Sequence, residues 1–344
     1  MASATRSAVK VYEAIVARRR AVLLAMGVAA PLLFLLDVST GPSGLPPLAA
    51  LEAMLGLRGG TAAVIVWEVR LPVALAAVLV GAMLGAAGSL MQTVLDNPLA
   101  SPYTLGIAAG AAFGAALAYV LGFSVVPWLS GMAALVNAAF FAFATAVLVY
   151  ALGRLRGFTA EALVLAGIAV AYAFHSLLAL MEYMASEEAL QAIVFWLFGS
   201  LYKATWHRVA IEAAVLAGAA AAMLPRAWRL TSLRLGDEAA RSMGVEPTRE
   251  RLLAFAAASV LTATAVSIHG VIGFVGLVAP HLARLLVGEE QRFQLPASML
   301  AGAVLLAAAD VASKSVVPGA IIPIGIVTSL TGIPFFVALL AARR

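Results

Sequence analysis

Between Asp96 and Arg154 the chain runs for 57 residues without a charged side chain. A helix crossing the hydrocarbon of a bilayer needs about 20 mainly apolar residues. The stretch therefore holds two crossings, with Pro127-Trp128 as the turn between them. The rest of the chain has the same texture: of 344 residues, 63% are hydrophobic and 11% charged. An average soluble domain carries roughly 25% charge. One soluble core has no room for so much apolar surface, so lipid is the solvent for most of it. The expected fold class is an all-α polytopic membrane protein.

Charges punctuate the chain into about ten spans, at about 21–37, 71–95, two within 96–154, 162–182, 206–225, two within 252–283, 295–312 and 321–341. His269-Gly270 separates the seventh from a shorter eighth that contains Gly273 to His281. Residues 1–20 read as a cytoplasmic N-terminal segment and 21–341 as a single transmembrane domain. Arg18, Arg19 and Arg20 before the apolar run Ala21 to Leu36 look like a signal peptide. No prompt small-residue cleavage site follows, and the run is read as a retained first helix. With ten crossings, 17 Lys and Arg fall on the side of the termini and five (Arg58, Arg70, Lys203, Arg208, Lys314) on the other. Basic residues mark the cytoplasmic side, which places both termini in the cytoplasm of a multi-pass protein of the cell membrane.

The net charge of +5 is spread over short connections, with no basic stripe or interleaved aromatics, so a nucleic-acid partner is not expected. The absence of cysteine excludes disulfides and thiolate chemistry. Small residues recur at helical spacing at Gly81, Gly85 and Gly88 and at Gly106, Gly110 and Gly114. Such rows let helix backbones approach closely in a membrane.

Three segments are more than spans. Residues 226–251 form the longest polar stretch, containing a short helix with Asp237 as its cap, Glu238 at its positive end and Arg241 four residues on. Gly244 stops it and Pro247 lies just beyond. A tether needs no capped helix; the segment reads as a docking element for a cytoplasmic partner, with a solvated amphipathic turn as the competing reading. Asp96-Asn97-Pro98-Leu99-Ala100-Ser101-Pro102 breaks an apolar stretch, and broken backbone at a membrane is buried in protein or lines a cavity. Pro318-Gly319-Ala320-Ile321-Ile322-Pro323-Ile324-Gly325 is a rigid lead into the last span.

Several blocks in order carry a resemblance. They are Trp67-Glu68-Val69-Arg70-Leu71-Pro72, Gly81-Ala82 through Gln92, and Asn97-Pro98-Leu99-Ala100 with Pro102 and Leu105-Gly106. Trp196 with Gly199-Ser200-Leu201 follows, then Leu235-Gly236-Asp237-Glu238-Ala239-Ala240 with Met243-Gly244-Val245. Gly273-Phe274-Val275-Gly276-Leu277-Val278-Ala279-Pro280-His281 with Arg284 comes next. Leu295-Pro296, Gly302-Ala303, Ala309-Asp310 and Pro323-Ile324-Gly325 with Gly332 and Pro334-Phe335 complete the order. Together they resemble the iron-chelate and vitamin B12 permease family (FecCD type) of binding-protein-dependent ABC importers, from about Val66 to Leu340.

The resemblance implies a type II ABC importer permease fold and a homodimer with the pathway on its twofold axis. It implies two separate ATPase subunits inside, which hold ATP and magnesium, and a substrate-binding protein outside. The substrate class implied is a metal chelate: ferric siderophore, haem or a cobalamin. Leu235, Gly236, Asp237, Glu238, Arg241, Met243 and Gly244 match the region that meets the ATPase. The chain contains no Gly-x-x-x-x-Gly-Lys-Ser/Thr phosphate loop and is read as a conduit rather than an enzyme, with no cofactor of its own. It departs from the family at Val73, where a basic residue is common, and at Ile321, where an acidic one is common. Lys314 stands where Arg is frequent. Arg70 and Lys314 are then the candidate outer cations for acidic residues of a binding protein, with interfacial snorkelling as the competing reading.

Polar residues at membrane depth are costly unless they face a cavity or a partner. His175 and Ser176 in the fifth span, and Asn97 in the broken segment, are the pathway candidates. His281 reads as a packing residue and His269 as a packing residue with haem contact as the competing reading; Asp310 reads as the partner of a nearby cation or a cap for backbone groups, and Glu182, Glu187 and Glu188 as solvated. No histidine–carboxylate cluster has metal-ligand spacing. A self-contained secondary transporter is the alternative and calls for paired intramembrane carboxylates or inverted repeats. An intramembrane enzyme calls for a nucleophile or metal set at depth.

Overall fold

The computed structural model of the chain describes residues 2–317 and 319–342. Pro318, within the lead into the last span, and the terminal pair Arg343-Arg344 lie outside them. Among the described residues, seven helical stretches are long and apolar enough to cross a membrane, and three shorter apolar helices join them. These are the ten crossings.

Helix α1 (Ala2–Ser39) is followed outside by the short α2 (Pro47–Met54) and α3 (Thr61–Val64). A π-helical turn, Ile65–Arg70, runs into α4 (Leu71–Val94), which has Pro72 in its first turn. Helices α5 (Ile107–Leu121), α6 (Ala133–Arg154) and α7 (Ala160–Met184) cross in succession. An outer helix α8 (Glu187–Leu197) precedes α9 (Trp206–Met223). Inside lie α10 (Ala227–Leu233) and α11 (Asp237–Ser242). Helices α12 (Pro247–His269), α13 (Val275–Val287), α14 (Gln291–Ser315) and α15 (Ile324–Ala342) complete the bundle. The spans expected from charge spacing fall on these helices. Helix α8 was not anticipated: Glu187 and Glu188 occupy its first turn, and Ser186 caps it by accepting from the Ala189 amide at 3.3 Å.

Helix α4 is the axis of the domain, packed by α9, α12, α13 and α14 and buried over nearly its whole length. Its glycine row explains how. A Cβ on Gly81 would lie 2.3 Å from the Gly302 carbonyl oxygen, and one on Gly85 would lie 2.0 Å from that of Ser298. The α4 and α14 backbones are in direct contact, which only glycine permits. The second row divides. Gly110 and Gly114 bring α5 onto α6, but Gly106 precedes α5 in the left-handed region (φ 78°) and abuts Ala171 of α7.

With 15 and 13 residues, α5 and α13 are about 22 and 20 Å long, too short for a hydrocarbon core of about 30 Å. Irregular segments 95–106 and 270–274 supply the remaining depth. They are tied together by Tyr103, whose buried hydroxyl donates to the Ile272 carbonyl and accepts from the Ile272 amide at 3.0 Å. Broken backbone at this depth is thus satisfied from within the protein. Phe274, with φ at 64°, turns the second segment into α13.

Candidate coupling surface and pathway

The polar stretch 226–251 folds as two short helices rather than one. Helix α10 is fixed from both sides. The buried carboxylate of Glu250 receives Arg226 at 2.9 and 3.1 Å and Arg229 at 3.2 Å. Removing a carboxylate from water costs several kcal/mol, and these two guanidiniums offset it. On the other side the Thr231 hydroxyl accepts from the Gln291 amide at 2.9 Å, and Arg234 pairs with Glu289 at 2.9 Å.

Helix α11 hangs from this platform. The residue before it is Gly236 (φ 94°), and no side chain caps it. This corrects the expectation that Asp237 is the cap. Asp237 lies inside the helix because its carboxylate is engaged elsewhere, by Arg251 at 2.7 and 3.0 Å. Those two bonds hold its carboxyl below the usual carboxylate range. Arg241 approaches the same carboxylate only to 4.0 Å. Ala240 and Val245 are buried beneath the helix, whereas Leu235, Gly236, Glu238, Arg241, Met243 and Gly244 are exposed. Leu235 and Met243 put apolar surface on a cytoplasmic tip that is braced from below, the signature of a contact surface.

The pathway candidates do not converge. His175 and Ser176 lie on an exposed face of α7 with Tyr172, Leu180 and Tyr183, and Ser176 donates to the Tyr172 carbonyl at 3.0 Å. Asn97 lies at the inner end of α4, half-buried, and its side-chain oxygen accepts from the Leu99 amide at 2.9 Å in a local turn.

Arg70 and Lys314 are not surface cations, which corrects that expectation. Arg70 donates to the carbonyls of Val38 and Ser39 at 2.9 and 3.1 Å and to the Ser43 hydroxyl at 2.8 Å. Lys314 is buried between Asp37 at 2.5 Å and Asp310 at 2.6 Å. Both tie the outer end of α1 to the bundle. Asp310 does pair with a cation, one turn along its own helix.

Sequence reading missed a second buried pair. His269 Nε2 lies 2.6 Å from Glu212 Oε1, with both side chains fully buried, and His269 Nδ1 lies 3.1 Å from the Ser200 carbonyl. The partners are 57 residues apart in sequence, and no local signal joins them. With both nitrogens engaged, His269 is a packing residue that ties α12 to α9 and to the outer turn after α8. The His281 ring stacks edge-on against Phe335.

The FecCD transport family matches residues 29–342 of the chain. The hemin transport system permease protein of Yersinia pestis is 33% identical over 81% of this chain and 84% of its own length. An ABC transporter permease protein of Methanocaldococcus jannaschii is 40% identical, but this chain spans only 56% of its length. Among solved structures, a metal-chelate type ABC transporter in an inward-facing conformation superposes with a TM-score of 0.81. It is 31% identical, and the match covers 94% of this chain and 99% of that one. The fold is that of a type II ABC importer permease. With a braced inner tip beneath ten crossings and the family's match running over nearly its whole length, this chain belongs to the FecCD transport family of ABC permeases.

Proposed function

We propose that the chain is the transmembrane subunit of an importer for a metal chelate, of the ferric siderophore, haem or cobalamin class. It works as a homodimer, with two separate ATPase subunits inside and a binding protein outside. The observation that carries this reading is the exposed tip Leu235 to Gly244, fixed to α12 by Arg251 and to α10 by its short connection. A rigid lever under a membrane domain transmits the motion of a partner; it has no use in a self-sufficient carrier. ATP binding on the partner moves the tip, and α12, joined to it, moves the segment 270–274 at the pathway.

The homodimer rests on α7. Its exposed face mixes Leu165, Tyr172, Leu180 and Tyr183 with His175 and Ser176. Ser176 is satisfied by its own helix, but the His175 imidazole at that depth is costly against lipid and is satisfied when the face meets a second copy around an aqueous path. The test is co-expression with a candidate ATPase subunit and reconstitution in liposomes. Leu235→Asp with Met243→Asp abolishes ATP-driven uptake while leaving membrane insertion intact; full uptake by that variant rejects the reading.

One observation favours a second reading. Asp37 and Asp310 form a pair of buried carboxylates at the outer ends of α1 and α14, and buried carboxylates in membrane helices are a feature of ion-driven carriers. Lys314 sits between them, so the trio serves as a staple between α1 and α14. Uptake by the purified chain alone under an ion gradient would favour the carrier.

A further inference from the structure

Five basic residues lie toward the outer side of the bundle, and three of them are already matched. Arg58 pairs with Glu52, Lys314 with Asp37 and Asp310, and Arg70 is spent on carbonyls and Ser43. Lys203 and Arg208 form no ion pair among the described residues. They are neighbours: Arg208 Nη1 donates to the Lys203 carbonyl at 2.5 Å, and Lys203 Nζ lies 5.7 Å from the centre of the Trp196 ring. Both are half-buried. Burial, followed by the charge of Arg208, pushes the Lys203 ammonium down to about 8.

A cavity of about 380 Å³ opens on the two cations, lined also by Tyr119, Ser130, Trp196 and Ser267. A second, of about 530 Å³, shares Arg208 and Leu135 with the first and continues between α6, α9 and α12. Its walls are Ala139, Phe143, Ile211 and Val260. From Leu135 to Phe143 is eight residues of helix, about 12 Å of descent, most of the depth of one leaflet. Trp67, Trp128 and Trp206 are exposed at the outer helix ends and mark the head-group level. The charged cavity lies at that level and the apolar trough lies below it.

We propose that this groove holds an anionic phospholipid of the outer leaflet, its phosphate between Lys203 and Arg208 and one acyl chain along α6 and α12. Two unmatched cations over a trough one leaflet deep fit an amphiphile with a negative head. A water-soluble acidic partner reaches the cations but not the trough, and free phosphate leaves the trough unfilled. Basic pockets between transmembrane helices on the cytoplasmic or matrix side take anionic head groups by the same charge matching.

The test is native mass spectrometry of the full-length chain in detergent with added dioleoyl phosphatidylglycerol or dioleoyl phosphatidylcholine. Two basic contacts near a membrane surface correspond to an anionic preference of about thirtyfold. Lys203→Gln with Arg208→Gln removes that preference, and Ala139→Trp, which fills the trough, weakens retention of both lipids. Millimolar inorganic phosphate leaves the bound phosphatidylglycerol in place. A second measurement needs no variant: phosphatidylglycerol with a diazirine in its tail labels residues 135–143 and 260–268 of the unmodified chain. Equal retention of the two lipids, displacement by inorganic phosphate, or labelling spread evenly around the domain overturns the proposal.

Discussion

Arg251 grips the carboxylate of Asp237 through two hydrogen bonds, of 2.7 and 3.0 Å, and so makes the inner tip an extension of α12. Fourteen residues separate the two in sequence, yet they join the start of α11 to the second turn of a helix whose far end meets Glu212 and Ser200 through His269. A push on Leu235 or Met243 therefore has a covalent and ionic route to the outer side of the membrane.

Asp237→Asn keeps the shape of the side chain and removes its charge. The tether is partly exposed, so its loss costs about 1 kcal/mol after solvent screening. Transport in reconstituted vesicles is expected to fall several-fold per ATP hydrolysed, with folding unchanged. The sign with pH follows from the lowered carboxyl. A carboxylate whose folded value is depressed contributes above its ordinary unfolded range, near 3.9, and its contribution is lost as pH falls through the folded value. Asp237 therefore stays ionised at any pH near neutrality, and coupling measured from about pH 6 to 8 is expected to show no step from this residue.

Gly85→Ala tests the backbone contact between α4 and α14. The added methyl would lie 2.0 Å from the Ser298 carbonyl oxygen, where no flexible side chain can give way. The expected loss is about 3 kcal/mol, read as a large drop in melting temperature of the purified chain. Gly27→Ala in α1, where nothing lies within 4 Å, is the control, expected to be neutral or slightly stabilising.

His269→Ala leaves the Glu212 carboxyl buried without its partner, as Glu212→Ala strands the imidazole. Breaking one side of a buried pair costs about 3–5 kcal/mol. Denaturant unfolding of both single variants and the double variant is expected to show strong non-additivity, the double being no worse than either single.

Lys314→Met brings Asp37 and Asp310 face to face without a cation. It is expected to be more damaging than Asp37→Asn or Asp310→Asn, each of which keeps one ion pair to Lys314. Yield and thermal stability of the purified chain check the order.

The crossings were legible because a membrane imposes one rule on every helix, about 20 apolar residues between charges, and 71–95 and 206–225 obey it. The break at His269-Gly270 was legible from length alone. Helix α8 was not, because its 11 residues, opened by Glu187 and Glu188, fall below that length and look like solvated loop. A short helix within 226–251 was legible from Gly244 and Pro247, which are local signals, and one lies at Asp237–Ser242. Its internal wiring was half legible: Arg241 does pair with Asp237 at 4.0 Å, as the spacing suggests, but the closer partner is Arg251 in the next helix. The outer cations failed in the same way. Nothing near Lys314 in sequence points to Asp37, which is 277 residues away.

The most direct test of the account is the composition of the purified assembly. The chain, affinity-tagged and co-expressed with a candidate ATPase subunit, is isolated in detergent and its mass measured by light scattering. Two copies of the chain with two ATPase subunits are expected, and Leu235→Asp with Met243→Asp is expected to leave the pair of permeases without its ATPases. A single chain that never retains the ATPase, or full retention by that variant, contradicts the account.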